Sequence, residues 1–65
     1  MSASFILEYS GAPVRFVEDT HIELVEESQA DQFIAEADAW YAACKAGLHP
    51  MRCRVVNLYA RNQQT

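Results

Sequence analysis

From Gln29 to Ala46 the chain carries neither proline nor glycine. Within it Ala30, Ala35, Ala37, Ala39, Ala42 and Ala43 are strong helix formers. Ser28 reads as the N-cap of this helix, its hydroxyl accepting from the amide of the third helical residue. Asp31, at that third position, completes an imperfect capping box. Glu26, Glu27 and Asp31 put negative charge where the helix dipole favours it. Lys45 suits the opposite end, and Gly47 is a natural left-handed terminator. Phe33, Ala37, Trp40, Tyr41 and Cys44 fall on one stripe, with Ala30 and Ile34 beside it, so the predicted helix faces its core with this stripe.

The segments around the helix alternate with the period of strands. In Ala3 to Tyr9, Phe5, Leu7 and Tyr9 point one way, and Ser4, Ile6 and Glu8 the other. Ser10-Gly11-Ala12-Pro13 reads as a loop. Val14 to Val25 alternates again, with Val14, Phe16, Ile22 and Leu24 directed to the core. As one strand it would span roughly 40 Å at about 3.3 Å per residue, so a break is expected near Asp19-Thr20. Either a bulge or a hairpin would supply it. His49-Pro50 turns the chain into a last strand, Met51 to Ala60. There Cys53 and Val55 share one face, and Val56 and Leu58 the other, a pattern suited to burial on both sides. Residues 61–65 read as a frayed tail.

These elements predict a single α+β domain over residues 1–65. Its sheet has three or four strands, and one amphipathic helix packs on one face, in the order strand, strand (split or whole), helix, strand. The connection through the helix to the last strand is a right-handed crossover if the flanking strands are parallel. So short a chain buries only about 60 % of its unfolded surface, which makes its core marginal.

One helix covers one sheet face. That leaves Ile6, Val17, Val25, Val56 and Leu58 on the other, where burial of each is worth roughly 1.5–3 kcal/mol. A cover for this face is therefore expected. A second copy of the chain is the simplest, as two-fold dimers are the commonest oligomers. A different protein is the alternative.

Charge is distributed unevenly. The net charge is −4, all nine acidic residues lie within the first 38 positions, and Arg15 is the only arginine or lysine among them. Glu23, Glu26, Glu27, Asp31, Glu36 and Asp38 are the candidate acidic surface, suited to steering onto a basic partner. Arg52, Arg54, Tyr59 and Arg61 are the alternative, a basic strand tracking a nucleic-acid backbone. A pI near 4.9 argues against direct nucleic-acid binding. Pairing of Arg52 and Arg54 with Glu8 and Glu23 across strands would use the same charges internally.

Few residues point to chemistry. Cys44, His49 and Cys53, with His21, carry zinc donors, but without the close paired spacing of structural zinc sites. Both cysteines are better read as small buried hydrophobes, reduced and unpaired. No glycine-rich phosphate loop is present. Neither metal nor cofactor is expected, and no catalytic residue is assigned. No apolar run suits a signal peptide or a membrane span, so the protein reads as cytoplasmic. The resulting expectation is a non-catalytic, homodimeric protein-binding module with an acidic surface. By analogy of class alone, small phage- or plasmid-encoded inhibitors of host nucleic-acid enzymes, anti-CRISPR proteins among them, are of this kind. A regulatory RNA- or DNA-binding module is the alternative.

Overall fold

The computed structural model describes residues 4–18 and 20–62, apart from the side chains of residues 61 and 62. Residues 1–3, with the predicted strand start at Ala3, Asp19 and residues 63–65 lie outside this range. Strand β1 (Phe5–Tyr9) turns into β2 (Ala12–Glu18) through Ser10 and Gly11. Both turn residues have positive φ, 54° and 89°. Two positive dihedrals in a two-residue loop match the twist of the strands they join. The expected four-residue loop is thus shorter, and Ala12 and Pro13 belong to β2.

β2 continues into β3 (His21–Leu24) as an antiparallel hairpin. Its register runs from Val14 opposite Leu24 to Phe16 opposite Ile22, then slips to Glu18 opposite His21, leaving Val17 as the extra residue of a bulge. Hairpin and bulge, posed as alternatives for the break, are both present. The last strand, β4 (Cys53–Asn57), lies antiparallel against β1, giving a four-stranded sheet of order β3-β2-β1-β4. With one longer helix packed on it, the fold is a small antiparallel α+β domain, as the alternating pattern predicts. β3 and β4 occupy opposite edges of an all-antiparallel sheet, so the parallel crossover is not formed.

β1 and β2 pair at only two positions, Glu8 with Pro13 and Tyr9 with Ala12, and then part. Residues 31–33 fill the opening. Phe33 exchanges two backbone hydrogen bonds with Phe5, at 2.7 and 2.8 Å. The Asp31 amide donates to the Val14 carbonyl at 3.3 Å, and the Asp31 carboxylate accepts from the Phe16 amide at 2.8 Å. Buried main-chain polar groups need partners, and here a third segment supplies them.

This wedge corrects the predicted helix. Glu27–Gln29 forms a 3-10 turn and Ser28 caps no helix. Helix α1 spans Glu36–Lys45, beginning after Ala35, with no side-chain cap. Its other end is as expected. Gly47 has φ 73°, its amide donates to the Cys44 carbonyl at 3.0 Å, and the Leu48 amide donates to the Ala43 carbonyl at 3.1 Å. This is the Schellman arrangement that closes a helix on glycine.

The chain crosses the sheet plane at the wedge, so both faces are covered. On one side α1 packs over Leu7, Val14, Phe16, Ile22 and Val55. On the other, Ala30, Val56 and Leu58 enclose Ile6, with Val25 packed against them. Leu58 is not in the strand. β4 stops at Asn57, whose side-chain oxygen accepts from the Ala60 amide at 3.2 Å and caps a second short helix, α2 (Leu58–Asn62). Residues 61 and 62, expected in a frayed tail, are helical. No helix among the described residues is long and apolar enough to cross a membrane.

Candidate interaction surface

The apolar residues left over by a one-helix sheet are the first candidates. Ile6 is fully buried, and Val56 and Leu58 are each 8 % exposed. Val25 is half-buried on the same cluster. The expected dimer face is therefore closed by the chain itself, through Ala30 and the start of α2. Of the five residues, only Val17 stays exposed, on the bulge. Leu24, expected in the core, is exposed at the end of the edge strand β3.

The acidic candidates divide among several environments. The Asp31 carboxylate is partly buried and holds the Phe16 amide, so it belongs to the wedge. Glu23 lies opposite Arg15 across β2 and β3, and the two form an ion pair. Glu26 and Glu27 are exposed around the 3-10 turn that leads to Ala30, on the Ile6 side of the sheet. Glu36 and Asp38 are exposed in the first turn of α1, on the Leu7 side. The six residues are thus spread over β3, the 3-10 turn, the wedge and α1.

The basic candidates are divided as well. Arg52 is exposed in a 3-10 turn (Pro50–Arg52), and Arg54 is exposed on β4, directly opposite Glu8 on β1. Glu23 takes Arg15 in place of either. Tyr59 is 44 % exposed on α2, off the strand axis. Arg61 also lies in α2, its side chain outside the described set.

The largest departure from expectation is on α1. The helix buries Ala39 and Ala43, with Ala42 and Ala46 half-buried beside them. These four recur at the spacing of one helix face. The aromatic stripe predicted to face the core points outward instead. Tyr41 is 68 % exposed and Trp40 38 %, with Ala37 and Cys44 exposed beside them and Ile34, 75 % exposed, just ahead of the helix. Of that stripe only Phe33 turns inward, edge-on to Phe16 with ring centroids 6.1 Å apart. Lys45 lies over the Tyr41 ring, 5.4 Å from its centroid. The Trp40 indole N–H points to the Glu36 carboxylate at a long 3.4 Å. Trp40 and Cys44 also line an open, mainly apolar pocket of about 260 Å³, shared with Leu48, Pro50 and Cys53.

Neither cysteine is in a disulfide. Cys44 is exposed, contrary to its expected burial, whereas Cys53 is half-buried under α1, and burial pushes its thiol above the usual value of 9.0. The His49 Nδ1 accepts from the Met51 amide at 3.2 Å and caps the 3-10 turn Pro50–Arg52. Among the described residues, no group of three or more His, Cys, Asp or Glu is placed to hold a metal ion. Compared with known protein families, curated proteins and solved structures, the chain matches none.

Sequence periodicity contained two candidate faces on α1, one of aromatics and one of alanines. Hydrophobicity favours the first as the core face. The signal for the second was the Ala39-Ala42-Ala43-Ala46 spacing, which lets a helix lie close to a sheet.

Proposed function

We propose that this chain is a non-catalytic protein-binding module whose contact surface is the outer face of α1. The observation that carries the reading is the exposure of Tyr41, 68 %, beside a partly covered Trp40, on a helix whose buried residues are both alanines. Trp and Tyr are the residues most enriched where binding energy concentrates in interfaces. The acidic Glu36 and Asp38 at one end and Lys45 at the other supply a polar rim. The partner is a protein, either a second copy of the chain or a different one. This moves the expected association from the sheet to the helix. The acidic-surface version of the reading, with its analogy to inhibitors of nucleic-acid enzymes, draws less support from residues spread over a strand, a turn, the wedge and α1.

A photo-crosslinking residue in place of Tyr41 tests this in cells that express the chain. Discrete protein adducts are expected from position 41 and none from the same probe at Glu27, on the opposite side of the sheet. The position-41 adducts should vanish in a Trp40→Glu background that remains folded by circular dichroism. Absence of any adduct at position 41 overturns the reading.

A further inference from the structure

The two edges of the sheet differ in how they are guarded. β3 is four residues long, pairs with a bulged strand, and presents His21 and Glu23 to solvent. Short strands, bulges and charges are the usual guards of an edge. β4 pairs with β1 over five residues without a slip, has no proline, and carries Arg54 as its one charge. The direction of its main-chain groups follows from its flanks. The Leu58 amide donates to the Ser4 carbonyl at 2.8 Å, and the Ser10 amide to the Arg52 carbonyl at 2.9 Å. Counting by twos between these bonds, Arg54 and Val56 turn their main-chain groups toward β1, while Cys53, Val55 and Asn57 turn theirs away. The Cys53 amide donates to the Pro50 carbonyl, and the Asn57 carbonyl heads α2. The Cys53 carbonyl, the Val55 amide and carbonyl, and the Asn57 amide remain, and no strand among the described residues receives them.

We infer that β4 receives an extended segment of a partner protein as an added antiparallel strand. The inference rests on reading the chain as a protein-binding module and names the form of segment it takes. The unpaired groups of β4 hold such a segment by its main chain, and its side chains at alternate positions are selected by what they meet. The residue opposite Cys53 projects on the α1 side of the sheet, its Cβ about 4.5–5.5 Å from that of Cys53. On that side Cys53 borders the apolar pocket of about 260 Å³, with Trp40, Cys44, Leu48 and Pro50. A closed apolar cavity of roughly 150 Å³ holds a benzene ring, so this pocket has room for a leucine, isoleucine, phenylalanine or methionine side chain. The neighbouring position stands opposite Arg54, which is exposed on the other side of the sheet. Arg52 is exposed just ahead of it, and no acidic residue follows Asp38 in the sequence. The segment that fits is therefore acidic opposite Arg54 and apolar to either side, opposite Val55 and Cys53.

A capped hexapeptide, Thr-Thr-Val-Glu-Leu-Glu, provides the test, with its leucine also exchanged for isoleucine, phenylalanine or methionine. In register, its valine lies opposite Val55, its first glutamate opposite Arg54 and its leucine opposite Cys53. Fluorescence of Trp40, the chain's one tryptophan and part of the pocket wall, reports binding up to millimolar peptide. N-methylation of the valine or the leucine, whose amides meet β4, should weaken binding by about tenfold or more. N-methylation of the glutamate between them should weaken it by less than about twofold. Glycine in place of the leucine should cost about tenfold or more. Arg54→Glu should weaken the unaltered peptide by about threefold and favour one with lysine in place of its first glutamate, a swap that loss of structure would not produce. Binding without the alternating response to N-methylation overturns the added strand. Failure of all four peptides to bind, with position-41 adducts still formed, overturns the edge and keeps the α1 face. Peptide binding without those adducts does the reverse, and the absence of both overturns both. β3 itself carries Ile22, Glu23 and an exposed Leu24. Self-association that the peptide competes away in sedimentation would seat the β3 of a second copy on the edge and overturn a foreign segment.

Discussion

The two faces of α1 show how little of a helix's role is set by where its largest apolar residues lie. The inner face is alanine, and against it the sheet supplies the bulk: Leu7, Val14, Phe16, Ile22 and Val55. The outer face carries Trp40 and Tyr41, far more apolar surface than the inner one, and leaves much of it in water. Small inward residues bring the helix backbone close to a short sheet, where large ones would hold it away and open voids that a 65-residue domain cannot offset. What faces outward is then released from the core and available for contact.

The strongest way to break this comparison is to cut both sides equally. Ile6→Ala, which empties a fully buried site, should cost about 2–5 kcal/mol, whereas Tyr41→Ala should change the stability of the dilute monomer by less than about 0.5 kcal/mol. Thermal unfolding followed by circular dichroism reads the difference, because 1 kcal/mol moves Tm by roughly 4–8 °C in a domain of this size. Comparable losses would mean that Tyr41 is part of the fold and not of a surface.

A second cut tests why the aromatic face lies outside at all. The wedge at Asp31–Phe33 takes the place of the first turns of the predicted helix. Asp31→Ala removes the acceptor of the Phe16 amide and should cost about 1–3 kcal/mol. Asp31→Asn keeps an acceptor oxygen and should cost less. Amide hydrogen exchange at Phe16 should rise in the alanine variant. If it does not, the wedge is held by Phe33 and Phe5 alone.

Local signals explain what was legible in the sequence. The alternation in β1, β2 and β3, the break at Thr20, and the glycine stop at Gly47 each depend on neighbours a few residues apart, and each is present. The start of the helix was not legible. Gln29 to Ala35 has good helix propensity, but β1 and β2 part and leave main-chain groups of Phe5, Val14 and Phe16 to be satisfied. That requirement arises from residues 15 to 28 positions away in sequence and overrides propensity. The closed Ile6 face has the same origin, since its cover comes from Ala30 and Leu58, two residues assigned to a helix and to a strand. For the proposed interaction surface, the residues were visible as an apolar stripe, but which side of the helix they take was not.

A smaller effect concerns the other edge of that closed face. Asn57 ends β4 and caps α2, which carries Leu58 over Ile6. Asn57→Ala should cost about 1 kcal/mol, as loss of a helix cap usually does. It should also raise exchange at the Ala60 amide and leave α1 untouched. A loss confined to α2 separates the two sides of the sheet as independent coverings. Spread of the effect to the Leu7 side would join them.

The smallest effect compares the two thiols, which border the same pocket but differ in burial. Cys44 lies on the exposed outer face, and Cys53 is half-buried under the inner one with its thiol pushed up by desolvation. An aromatic disulfide reagent should modify Cys44 first at neutral pH, both because it is accessible and because the thiolate is the reactive form. The same burial gives stability a pH dependence. The folded protein holds the Cys53 proton more tightly than the unfolded chain does, so its contribution is complete below the usual value of 9.0 and is lost as pH rises through the raised one. Stability should therefore fall with alkaline pH more steeply in the native chain than in Cys53→Ser. Parallel curves for the native chain and Cys53→Ser would show that burial does not hold the Cys53 proton.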